Sequence, residues 1–201
     1  MQTKNKLNVL IVLFISLLLI NFEIKAEEFN ITAKEIVIDK DKEILVGKGS
    51  VKVEDLDGKL ILANKVTYNK SKEFLLVEGD VKITDNEGNI LKTNKATYDK
   101  INEQIITYDN SELILKEGYS LLTKNILYET KKKILESKNQ STFTDRDGNV
   151  IETSMFQYNI KNNLFSSIGK IKISDVKKNI YFFKEVHIDT KKKEMIGSDV
   201  S

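Results

Sequence analysis

Apolar and polar residues alternate with period two along most of the chain after residue 28. Leu75, Val77, Gly79, Val81 and Ile83 fall on one side of an extended stretch, and Glu78, Asp80 and Lys82 on the other. The same parity recurs in Leu45, Gly47, Gly49, Val51 and Val53, and in Phe165, Ser167, Gly169, Ile171 and Ile173. Strict alternation predicts strands with one buried and one wet face. Polar turns punctuate them: Asn69-Lys70-Ser71-Lys72 between one pair of stretches, and Asp85-Asn86-Glu87-Gly88 between the next. Asn, Asp and Gly suit such turns, Gly because it takes positive φ without a clash. No segment after residue 28 carries helical periodicity over three turns.

The whole pattern repeats every 30 residues, in copies that begin at Phe29, Lys59, Asn89, Tyr119, Asn149 and Asn179. Tyr68, Tyr98, Tyr128 and Tyr158 share one column with Ile38 and Ile188. A fixed period of this kind signals one supersecondary unit that buries its apolar face against its neighbours. Each copy supplies about two strands. In the first of them the parity flips: Ile61 and Ala63 have one phase, Val66 and Tyr68 the other, and the flip recurs at Leu91/Thr93 against Ala96/Tyr98. A flip at a fixed place predicts a β-bulge or bend. Gly49, Gly79 and Gly169 suggest a second bend in the other strand, where the middle copies carry Asp109 and Asn139 instead. The prediction is an all-β chain, mostly antiparallel, shaped as an elongated jellyroll or solenoid.

The first 26 residues stand outside the repeat. Lys4 and Lys6 precede an apolar run from Leu7 to Phe22, followed by Glu23-Ile24-Lys25-Ala26. That order describes a secretory signal peptide cut after Ala26, with an uncleaved inner-membrane anchor as the alternative. Either exports residues 27–201 as one repeat domain. The chain has no cysteine and no proline, so neither disulfides nor proline-blunted edges shape it. Basic and acidic residues nearly balance, 32 against 30, which predicts a solvated face of mixed charge without the concentrated basic surface that nucleic acid requires.

Ala63-Asn64-Lys65-Val66-Thr67-Tyr68-Asn69 followed by Glu78-Gly79-Asp80-Val81-Lys82-Ile83 resembles the repeat of the OstA-like family. So do Thr93-Asn94-Lys95-Ala96-Thr97-Tyr98-Asp99 and Gly47-Lys48-Gly49-Ser50-Val51-Lys52-Val53. That family includes the lipopolysaccharide-transport proteins LptA and LptC and the N-terminal domain of LptD. The resemblance spans about residues 29–199 and rests on strands and turns, with no catalytic signature. It implies a bent β-jellyroll, open along one side, that holds lipid A acyl chains in an apolar groove while the sugars stay outside. It also implies partners: lipopolysaccharide, and LptC, LptD or further copies of the chain joined end to end by strand addition. The location implied is the periplasm, beside the outer membrane. An LptC-like anchored component is the alternative.

The inward columns supply the apolar row such a groove needs: Leu45, Val51, Val53, Leu75, Val77, Val81, Ile83, Leu113, Leu115, Phe143, Ile171 and Ile173. The same residues equally suit a closed core, as in a structural β-filament that carries no lipid. The terminal copies, around 29–37 and 186–201, are expected to carry strand contacts with partners.

Little else offers chemistry. His187 is the single histidine, so a cluster of His ligands is impossible, and no cysteine is present for a metal or nucleophile. Asp55-Leu56-Asp57-Gly58 and Asp145-Arg146-Asp147-Gly148 lack the ligand series of a calcium loop and read as turns. No nucleophile elbow accompanies His187. The tyrosine column reads as a packing ladder, with a lipid- or sugar-facing role as the rival. Lys65, Lys70, Lys72, Lys95 and Lys100 are placed either to meet lipid phosphates or simply to be solvated. No enzyme activity, cofactor or metal is expected.

Overall fold

The structure, a computed structural model, describes residues 29–198. The proposed signal segment lies outside the described residues. Among the described residues, sixteen strands form one continuous antiparallel sheet. In chain order they are β1 (Phe29–Thr32), β2 (Glu35–Asp39), β3 (Ile44–Asp55), β4 (Leu60–Asn69), β5 (Phe74–Thr84), β6 (Ile90–Asp99), β7 (Gln104–Ile114) and β8 (Ser120–Lys124). There follow β9 (Leu127–Glu129), β10 (Ile134–Ser137), β11 (Ser141–Thr144), β12 (Val150–Thr153), β13 (Phe156–Asn159), β14 (Leu164–Ser174), β15 (Ile180–Asp189) and β16 (Glu194–Ser198).

Every long strand is bent in its middle, and the bends align. Register shifts fall between Lys48 and Val51, Leu62 and Lys65, Glu78 and Val81, Thr93 and Lys95, and Ile168 and Ile171. The parity flip and the recurrent glycines are therefore one bend seen from neighbouring strands, where the sequence suggested two. Gly79 (φ 78°) and Asp80 (φ 49°) both take left-handed backbone there. A Cβ on Gly79 would approach Asn64 Nδ2 at 2.8 Å, so that position admits no side chain. Around Asn139 the bend becomes a break, and the strands divide into the short pairs β8/β9, β10/β11 and β12/β13.

Bending splits the sheet into two half-sheets. One contains β1, β8, β11 and β12 with the halves of the long strands that pair with them. The other contains β2, β9, β10, β13 and β16 with the remaining halves. The half-sheets fold face to face. Phe143 on β11 stacks on Phe165 of β14 across the interior, ring centroids 4.4 Å apart, and Phe29 on β1 meets the rings of Tyr68 and Tyr98. Alternation drives this closure. Each inward Val, Leu, Ile or Phe taken out of water contributes roughly 1.5–3 kcal/mol, and neither half-sheet can hide that face alone.

Along the bend, buried hydroxyls replace apolar side chains in the middle copies. Ser111 Oγ donates to Thr107 Oγ1 at 2.7 Å, Thr123 and Ser141 hydroxyls meet at 2.7 Å, and those of Thr153 and Ser167 at 2.6 Å. They satisfy one another and the carbonyls freed where the ladder breaks, such as that of Lys124, which accepts from Ser137 Oγ at 2.6 Å.

Two rows of turns close the far margins of the half-sheets. In one row Asp39, Asn69, Asp99, Asn159 and Asp189 accept hydrogen bonds from backbone amides three residues on. Each such turn ends in a residue of positive φ, among them Glu43 (52°), Glu73 (46°) and Glu103 (55°). Left-handed backbone costs a non-glycine residue about 1–2 kcal/mol. Glu43→Gly should therefore raise stability by about 0.5–1 kcal/mol in a urea titration, and a loss would show that the Glu43 side chain contributes more than its strain.

Candidate functional site

The interior of the folded sheet is the candidate site. Of the predicted apolar row, Val51, Val53, Leu75, Val77, Val81, Ile83, Leu113, Leu115, Phe143, Ile171 and Ile173 are all buried, and Leu45 is half-buried against them. The structure thus brings the row together in one continuous cluster that runs the length of the chain. Its middle is filled: Tyr119, Phe143, Phe165 and Phe156 form a chain of stacked rings at 5.4, 4.4 and 5.8 Å.

At both ends the interior meets solvent. One mouth, a cavity of about 640 Å³, is lined by Phe29, Ile31, Ile38, Leu45 and Tyr68. The other, about 420 Å³, is lined by Tyr119, Ile151, Ile173, Phe183, Ile188 and Met195. Ile36 and Ile38 occupy inward columns yet are exposed. Among the described residues, their strand β2 pairs on one side only, with β3, and β16 pairs only with β15. Both ends of the described sheet therefore present a strand paired on one side beside an open apolar mouth.

The tyrosine ladder lies just inside the margin where the two rows of turns meet. Tyr68, Tyr98, Tyr128 and Tyr158 are buried, but they do not stack on one another. Aliphatic rungs separate them: Tyr98 is registered between Leu75 and Ile105, and Tyr128 between Ile105 and Leu135. Tyr98 Oη donates to Asp55 Oδ2 at 3.2 Å, on the opposite row of turns. Asp55, whose side chain is 1% exposed, also binds Lys59 Nζ at 2.9 Å and the Lys59 amide at 2.8 Å. Beside it Lys100 Nζ bridges to Asp57 at 2.6 Å.

Electrostatics follow from these contacts. The Lys100 hydrogen bond holds the Asp57 carboxyl below its usual range, against a smaller opposing effect of burial. Burial works against the charge on Lys100, but the Asp57 bond and the nearby carboxylates outweigh it and its pKa is raised. Burial, with the Asp55 charge, pushes the Tyr98 phenol far up, and burial pushes Tyr158 up to about 12. Burial raises the Tyr128 phenol as well, so Tyr98, Tyr128 and Tyr158 are neutral at physiological pH.

Tyr128 differs from its neighbours, since its buried hydroxyl has no hydrogen-bond partner. Tyr128→Phe removes an unsatisfied polar atom and keeps the ring. Stability should stay level or rise by up to about 1 kcal/mol in chemical denaturation, and a loss above that would reveal a partner for the hydroxyl.

Comparison with known proteins adds little to this geometry. No protein-family model and no curated protein matches the chain. Among solved structures it is similar to LptH from Pseudomonas aeruginosa, described as the LptA-homologous periplasmic component of a conserved lipopolysaccharide transport device. The identity is 12%, 85% of each chain is covered and the TM-score is 0.23. It is also similar to the TCP10 domain of CPAP from Danio rerio in complex with a STIL peptide, with 11% identity, 76% of this chain and 96% of that one covered, and a TM-score of 0.16. Superpositions this loose leave the architecture resting on strand register and burial.

Asp145 is a turn residue that accepts from Asn149, and no group of three metal-ligating side chains occurs among the described residues. Lys65 and Lys95 both pair with Glu78, at 3.1 and 3.5 Å, so they sit in a surface ion network. His187 lies between Ser166 Oγ at 2.9 Å and Glu185 at 2.8 Å. Strands β14 and β15 are paired on both sides here, so their amides serve the sheet and offer no oxyanion hole. The buried Asp55–Lys59–Tyr98 cluster escaped sequence reasoning, which assigned acidic residues to turns and outward faces. Lys59 standing in the column of Asn89, Asn149 and Asn179 was its one visible trace.

Proposed function

We propose that this chain is a non-enzymatic conduit that carries the acyl chains of lipopolysaccharide across the periplasm toward the outer membrane. The observation that carries the reading is the apolar interior: among the described residues it runs from one end of the sheet to the other, opens at both ends and is flanked there by strands paired on one side. Such an interior takes acyl chains at about 0.8 kcal/mol per buried CH₂ without a polar lock on any one lipid. Unpaired β2 and β16 suit strand addition to LptC-like or LptD-like jellyrolls or to further copies, which would join one interior to the next. The resemblance of the repeat to the OstA-like family supports the same substrate, and export by residues 1–26 supplies the compartment.

Photo-crosslinking in cells tests this. A photoreactive residue at Val81, buried in the interior, should yield lipopolysaccharide adducts, and one at Lys82, on the outer face, should not. Adducts at neither position, in folded protein, would reject the conduit. A second reading, a structural filament with a sealed core, is favoured by one observation: the stacked rings from Tyr119 to Phe156 fill the middle of the interior.

A further inference from the structure

The two rows of turns meet along a seam, and the seam is not uniform. At its first rung it is tied twice across the half-sheets, by Tyr98 to Asp55 and by Lys100 to Asp57, with Phe29 packed beneath on both Tyr68 and Tyr98. One repeat on, the matching positions are Tyr128, Asp85, Thr130 and Glu87. Asp85 is already committed to Asn89 and to the Glu87 amide, and Thr130 bonds back to Glu103 within its own half-sheet. The Tyr128 hydroxyl is left alone. Two repeats on, Leu115 stands in place of Asp55 and Ile160 in place of Lys100. Tyr158 turns to Thr190 on its own side at 3.2 Å. A polar cavity of about 350 Å³, lined by Glu87, Lys116, Glu117, Tyr158 and Ile160, separates the two rows there.

We infer that the seam is a one-ended latch: the first rung holds the half-sheets together, and they part sideways at the second and third rungs to expose the core beneath Tyr128 and Tyr158. The physical reason is the difference in linkage. A charge-assisted bond with a largely buried lysine resists separation, whereas at the second rung the buried Tyr128 hydroxyl makes no bond across the seam, and at the third Tyr158 bonds on its own side and a cavity lies between the rows. The bend gives the motion its hinge, since the backbone there is already irregular and the strands of the fourth copy are broken. Resting on the conduit reading, the inference names the side opening through which an acyl chain enters or leaves without threading an end mouth.

Thiol labelling tests it cleanly, because the chain has no cysteine of its own. Leu75 lies under the latch, registered with Tyr68 and Tyr98, and Leu135 lies under the open rungs, registered with Tyr128 and Tyr158. Both are buried. With N-ethylmaleimide under native conditions, Leu135→Cys should react at least tenfold faster than Leu75→Cys. Adding Ile160→Lys, which sets an ammonium opposite Glu117 as Lys100 sits opposite Asp57, should slow the thiol at 135 to near the rate at 75. Hydrogen exchange on the unsubstituted chain gives a second measure, with faster exchange in β9, β10 and β13 than in β4 to β6. Equal labelling rates, or equal protection of the two strand groups, would overturn the latch. Binding of fluorescent lipid A is read separately. Fast labelling at 135 with no lipid binding would reject the conduit and leave the side opening standing.

Discussion

Asp55→Ala should destabilise the chain by about 3–5 kcal/mol, because it leaves the Lys59 ammonium buried without its counter-charge. The Lys59 side chain is 8% exposed and its remaining partner, Asp57, stands farther off at 3.3 Å on the more exposed side. The same change frees the Tyr98 hydroxyl and the Lys59 amide, each of which now has Asp55 as acceptor. Asp85→Ala is the control. It occupies the same place one repeat later but holds neutral Asn89, so its loss costs about 1 kcal/mol. The double variant Asp55→Ala/Lys59→Met removes both charges and should recover most of the loss, since a buried ion pair replaced by apolar groups is often neutral. Thermal or urea unfolding measures all three. An Asp55→Ala loss no larger than that of Asp85→Ala would show that Lys59 reaches solvent and that the first rung is not a buried cluster.

That contrast shows where sequence reading succeeds in this chain and where it stops. Strand parity is local: Leu75, Val77, Val81 and Ile83 alternate within one strand, so their common face is visible without knowing any partner. All four are buried. The turns were legible for the same reason, because Asn69 and Asp85 act on amides two to four residues away. The bend was half legible. A parity flip and a glycine signal an irregular strand, but only pairing of neighbouring strands shows that Gly79 and the flip after Ala63 lie on one line. The seam was not legible. Tyr98 and Asp55 meet across the fold at a separation of 43 residues, which is not a multiple of the period. That separation depends on how tightly the half-sheets close, and a period-two pattern says nothing of closure. Thr93, Thr123 and Thr153 mark the opposite limit. They share the inward parity of apolar residues, and their hydroxyls are buried because breaks in the ladder supply partners. An open groove along one side, implied by family resemblance, gives way here to rows of turns in contact at the first rung.

Phe165→Ala should cost about 3–5 kcal/mol, the other large effect, since the ring is fully buried and touches both Phe143 and Phe156. Its consequence for lipid separates the two readings of the interior. The ring stands where the stacked aromatics fill the space between the end mouths. If acyl chains travel through the interior, they must displace this packing, and the displacement opposes binding. Truncating Phe165 leaves a space lined by Phe143, Phe156 and their neighbours, and an acyl chain placed there regains apolar contact that the variant has lost. A conduit variant should therefore bind fluorescent lipid A more tightly than the unsubstituted chain, and lipid A should raise its unfolding midpoint by the larger amount. In a sealed filament the same substitution leaves a dry cavity with no route from outside. Stability falls by the same few kcal/mol, and lipid A moves neither midpoint. A lower midpoint with no response to lipid would thus remove the conduit while leaving the all-β architecture, its bend and its seam as described.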